Sequence, residues 1–78
     1  MEPSKEIVNK ILNLFQTNEV NLLQNEIEKA INLYPEGATS WLFLGMFYNR
    51  FNSLKEAEDA LLKSLQIKED YPEAQRMY

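Results

Sequence analysis

A chain of 78 residues with 45% apolar and 26% charged side chains, two glycines and three prolines has the composition of one small folded domain and not of a disordered tail. The absence of His and Cys excludes a disulfide framework, zinc-finger spacings, an imidazole general base and a thiol nucleophile. A net charge of −4 and a pI near 4.7 argue against nucleic-acid phosphates and anionic lipid surfaces as partners, which leaves protein or peptide.

No apolar run approaches the roughly 20 residues that span a bilayer. The start Met1-Glu2-Pro3-Ser4-Lys5 lacks the basic-then-apolar profile of a signal peptide, so the expected compartment is the cytoplasm. Carboxylate runs such as Glu56, Glu58 and Asp59, or Glu69, Asp70 and Glu73, read as solvated helix faces; no metal or cofactor is expected.

The first periodic segment runs from about Ser4 to Gln16, where Ile7, Val8, Ile11, Leu12, Leu14 and Phe15 recur at helical spacing. Thr17 and Asn18 interrupt it, and either can cap a second helix from about Glu19 to Leu33 that turns Val20, Leu23, Ile27, Ala30 and Ile31 inward. Tyr34-Pro35-Glu36-Gly37 ends that helix. A third, from about Ala38 to Arg50, carries Trp41, Leu42, Phe43, Leu44, Met46, Phe47 and Tyr48, too much apolar surface for one neighbour. Ser53 with Glu56 three residues on forms a capping-box pattern that launches a fourth helix, from about Leu54 to Lys68. Asp70-Tyr71-Pro72-Glu73 is a further start signal, with Pro in the first turn and acids at the positive helix end. A short helix there is expected to cover the fourth with Tyr71, Ala74, Met77 and Tyr78.

The two halves align at an offset of 34 residues: Val8 falls on Leu42, Leu12 on Met46, Asn18 on Asn52, Val20 on Leu54, Ile27 on Leu61 and Leu33 on Ile67. Apolar meets apolar and turn meets turn, the mark of an internal repeat. Within the second half, Trp41, Leu44, Gly45, Tyr48, Ala57 and Leu61 reproduce the spacing W-x-x-L-G-x-x-Y, then a small and a large residue. In this the chain resembles the tetratricopeptide repeat family. The likeness is close over residues 38–71 and faint over 4–37, where the ending Ala30-Ile31-Asn32-Leu33-Tyr34-Pro35 carries it. Alanine in the family's pattern is replaced by Ser64, and proline by Glu69.

Small side chains let two helix backbones approach, so Gly45 and Ala57 are the expected waist of the second hairpin, with Trp41, Leu44 and Tyr48 on one packing stripe. Ile11 and Leu23 hold the equivalent places in the first, which is therefore expected to be wider and to act partly as an amino-terminal cap. The expected fold is all-α: a first hairpin over 4–37, a second over 38–71 and a partial capping helix over 72–78.

The family resemblance implies a right-handed solenoid whose concave face, lined by the first helix of each hairpin, holds a peptide or helix of another protein. Carried over, the groove residues are Lys5, Val8, Asn9, Leu12, Phe15 and Gln16 from the first hairpin, and Thr39, Leu42, Phe43, Met46, Asn49 and Arg50 from the second. Lys5, Lys10 and Arg50 against Glu6 suggest a mildly basic concave face. Some family members grip a terminal carboxylate with a basic clamp over three repeats; Lys5 and Asn9 do not fall on its places, and none is expected here. With two repeats where about three bury a continuous core, self-association of two chains is the alternative expectation, and a fragment of a longer array a third. Without an activating neighbour for its hydroxyls, the chain is not expected to be an enzyme.

Overall fold

The computed structural model describes residues 1–78 as five helices: α1 (Lys5–Phe15), α2 (Val20–Leu33), α3 (Ala38–Arg50), α4 (Leu54–Ile67) and α5 (Pro72–Met77). The fold is all-helical, with α1–α2 and α3–α4 as antiparallel hairpins and α5 a short helix packed on the second. Ser4 starts α1 as its cap, its Oγ accepting from the Ile7 N–H at 3.4 Å.

Two expected caps do not form. Glu19, without a side-chain cap bond, precedes α2. Thr17 instead accepts from the Glu19 N–H (3.3 Å) and donates to the Leu14 carbonyl (3.0 Å), so it ties the turn back to α1. Nor does Ser53 make a capping box with Glu56. The box would need the Ser53 N–H, which is already bonded to the Tyr48 carbonyl at 2.9 Å. That bond, with Asn52 N–H to Asn49 O at 3.2 Å, is a Schellman closure of α3, and it places Asn52 in the left-handed region at φ 61°.

The apolar excess of α3 is explained by its place between two cores. One joins Ile11 of α1 and Leu23, Ile27 and Ala30 of α2 to Phe43 and Phe47; the other joins Leu42 to Leu61 of α4 and Ala74 of α5. Gly45 lies where α3 presses on α4: a Cβ there would sit 2.8 Å from Leu61 Cγ and Cδ2 and 3.5 Å from the Ala57 carbonyl oxygen. With that small contact α3 and α4 run close along most of their lengths. Helices α1 and α2 come close over less, having the fully buried Ile11 and Leu23 between them. Trp41, Leu44 and Tyr48 are half-buried. The Trp41 indole donates to Pro35 O at 2.9 Å, while Leu44 and Tyr48 pack on the first core.

Two buried serines stitch successive helices: Ser64 Oγ donates to Ala38 O at 2.8 Å, and Ser40 Oγ to Ala30 O at 3.4 Å. Serine in place of alanine at position 64 is thereby satisfied. The start of the chain also does structural work that its sequence did not announce. Pro3 is buried, and the Glu2 carboxylate accepts from the Ala38 and Thr39 N–H groups, both at 2.9 Å, capping α3 from 36 and 37 residues away. This passage of the chain brings Met1 O to 2.7 Å from where a Cβ on Gly37 would lie.

Helix α5 rests on α3 as well as α4. Ala74 is fully buried and Tyr71 half-buried, but Met77 and Tyr78 remain 37% and 56% exposed, so the expected cover is only half made. Six residues form less than two turns, and the single buried turn around Ala74 uses up the helix.

Candidate functional site

The first helix of each hairpin and α5 face a common hollow. Leu12 from α1, Leu42, Phe43 and Met46 from α3, and Glu73, Arg76 and Met77 from α5 line a groove of about 470 Å³. Helix geometry accounts for each wall. Ile11 points into the core, so its successor Leu12, about 100° further round, is turned outward and is 42% exposed. Met46 stands one turn beyond Leu42, and Glu73, Arg76 and Met77 at spacings of three and four share one face of α5.

Several residues expected in the groove are elsewhere. Leu42 and Phe43 reach its floor, but at 6% and 3% exposure they belong to the two cores on either side of α3. Val8 packs on the first core, and Phe15 sets its ring 6.3 Å from that of Phe43. Thr39 shares a 2.9 Å hydroxyl–hydroxyl bond with Tyr71 and gives its N–H to Glu2. Arg50 donates to the Phe15 carbonyl at 2.7 Å, a cation at the negative end of α1. Asn49 lines a different recess, and Lys5, Asn9 and Gln16 are exposed outside the groove walls.

The basic concave face is corrected by the same observations. Arg50 is engaged at the end of α1, Lys10 pairs with Glu26 of α2 at 3.4 Å, and the groove carries one acid and one base, both from α5. Glu73, Arg76 and Met77 join the groove from α5, a segment whose sequence reads as a cover for α4. The start signal at Asp70–Glu73 and the three-and-four spacing after it could have shown a third wall.

Two titratable groups, Tyr71 and Glu2, are displaced from their ordinary range. Burial pushes the Tyr71 phenol up; its bond to Thr39 opposes this, and the Glu73 and Glu2 carboxylates reinforce the rise, so the phenol stays protonated at neutral pH. Burial also pushes the Glu2 carboxyl up, but the hydrogen bonds from Thr39 and Ala38 and the nearby amino terminus outweigh it and hold the group below the usual glutamate range. No three acidic side chains converge as a metal site, and no helix is long and apolar enough to cross a membrane. What the groove provides is an open apolar surface with one charge of each sign at its edge. No family model matches the chain, and neither a curated protein nor a solved structure matches it.

Proposed function

We propose that the chain is a non-catalytic protein-interaction module of the tetratricopeptide kind, working in the cytoplasm, whose groove holds a short apolar segment of another protein. The observation that carries the reading is the groove itself, with its walls drawn from α1, α3 and α5, with Leu12 and Met77 exposed and Met46 half-buried beside them. Stacked hairpins present their first helices on one face, and such faces are where helical repeats bind. Two methionines in the wall suit an adaptable apolar contact. The small waist at Gly45, the 34-residue offset and the lack of any His or Cys support the same reading.

The test is selection of peptides from a displayed random library on the parent chain, with Leu12→Glu and Leu12→Lys as counter-targets. Leu12 is 42% exposed, open enough for both variants to keep the parent's circular dichroism. Peptides that bind the parent and lose about tenfold or more on each variant support the groove, since each substitution puts an unpaired charge against an apolar ligand. Peptides that bind parent and variants alike would rule the groove out.

A further inference from the structure

The internal repeat lets one flank of the first hairpin be compared with the same flank of the second. On the first, Lys10 of α1 reaches Glu26 of α2, its Nζ 3.4 Å from Oε1, and Glu26 is only 13% exposed. This hairpin therefore carries its own ammonium between its two helices. Moved by the repeat offset, Lys10 becomes Leu44 and Glu26 becomes Ala60, so the second hairpin has lost both members of the pair.

A cleft of about 210 Å³ stands at that place, lined by Trp41, Leu44 and Tyr48 of α3 and by Glu56, Asp59 and Ala60 of α4. Its aromatic walls are fixed: the Trp41 indole is bonded to Pro35 O at 2.9 Å, and the Tyr48 ring sits edge-on to Phe47 at 5.8 Å. The acids are still present but have moved to the edge, where Glu56 and Asp59 are exposed and share one face of α4. Lys10–Glu26 is the one ion pair of the chain, so neither carboxylate is paired. The Trp41 ring is already presented to a cation, with Lys63 Nζ 5.9 Å from its centroid, yet Lys63 does not line the cleft. Two aromatic rings and two free carboxylates thus surround a space with no cation of its own.

We propose that this cleft is a second docking site, which takes a lysine side chain from a basic segment of another protein. The alkyl stem would lie on Leu44 and Ala60, and the ammonium would meet the aromatic rings and the carboxylates at the edge. A cavity of about 150 Å³ accepts a benzene ring, so the volume admits a four-carbon stem and its ammonium. Charge selects the partner: at net −4 the chain repels a second copy of itself and attracts a basic segment. Every wall of the cleft lies within residues 41–60, and none is shared with the groove of Leu12 and Met46, so this site does not depend on that groove binding anything.

The probe is the blocked peptide acetyl-Gly-Ala-Lys-Ala-Gly-amide, titrated to millimolar concentration into the 15N-labelled full chain. Trp41 is the only tryptophan, so its indole N–H gives a single signal that reports on the cleft. The expected result is a saturable shift of that signal and of the amides of Leu44, Tyr48, Glu56 and Asp59. Affinity should fall about fivefold or more when the probe's lysine is replaced by norleucine, which keeps the stem and removes the charge. The double variant Glu56→Gln/Asp59→Asn should weaken binding of the lysine probe and lower its salt dependence. Its melting temperature should stay close to the parent's, both side chains being exposed and unpaired. Equal affinity of the lysine and norleucine probes, undiminished binding to the double variant, or shifts at Leu12 and Met46 in place of Trp41 would overturn the proposal. So would sedimentation of the chain alone as a dimer that the double variant dissolves, which would make the occupant a second copy.

Discussion

The contact at Gly45 makes a prediction whose sign depends on its neighbour. In Gly45→Ala the new methyl would lie 2.8 Å from Leu61 Cγ and Cδ2, against about 3.5–4.0 Å for carbon atoms at rest. Leu61 is 3% exposed, and its Cγ cannot swing away like the tip of a long side chain. Overpacking of this kind costs about 1–3 kcal/mol. Alanine in a helix interior returns about 0.8–1 kcal/mol relative to glycine, so the net loss is about 1 kcal/mol, or a fall of about 4–8 °C in melting temperature for a domain of this size. In a Leu61→Ala background the colliding atoms are gone, the added methyl occupies part of the space they left, and the same change should stabilise by about 1 kcal/mol. The coupling between the two sites is then about 2 kcal/mol.

Leu61→Ala alone costs about 2–5 kcal/mol, a large part of the roughly 4–12 kcal/mol expected for 78 residues. The four proteins of the cycle are therefore best compared by urea unfolding in a constant concentration of sucrose, which favours the folded state in all of them. Circular dichroism at the helix band follows the transition. A rise in stability for Gly45→Ala in the parent, or the same change in both backgrounds, would show that the waist of the second hairpin is not a tight α3–α4 contact.

Three further outcomes follow from local geometry. Glu2→Gln should cost about 0.5–1 kcal/mol at pH 7, an exposed carboxylate capping α3 being partly screened by solvent. Because the folded state holds the Glu2 carboxyl below its unfolded value, that stability is complete above the ordinary glutamate range. It is lost as pH falls through the lower folded value, so parent and Glu2→Gln melting curves should converge only in acid. Asn52→Val should destabilise by about 1–2 kcal/mol because a β-branched residue resists the left-handed backbone at φ 61°, whereas Asn52→Gly should be neutral or better by thermal melting. Gly37→Ala should free the amino-terminal segment, since its Cβ would meet Met1 O at 2.7 Å and Pro3 Cδ at 3.1 Å; faster amide exchange at Thr39 than in the parent would report it.

Local rules were enough to place the helices. Apolar spacing of three and four, the punctuation at Tyr34–Gly37 and Phe51–Ser53, and Pro72 at a helix start act within one or two turns, and α3 spans the residues its periodicity marks. The offset of 34 residues and the small residues at 45 and 57 likewise needed no coordinates to be seen, because they describe which surfaces can approach. What the chain order could not contain was the competition for each partner. Ser53 has the residue type of a cap, but its N–H had already gone to Tyr48; Arg50 has the charge of a groove residue, but the end of α1 claimed it. Leu42 and Leu12 both look like floor residues, and only the packing of α3 between two cores buried the first and left the second open. Glu2 capping a helix 36 residues away, and α5 closing one wall of the groove while leaving a recess over α4, arise from loops that bring distant segments together. Propensity and periodicity are properties of neighbours in sequence, whereas burial and hydrogen-bond satisfaction depend on which distant segments lie together in space, and tertiary structure alone decides that.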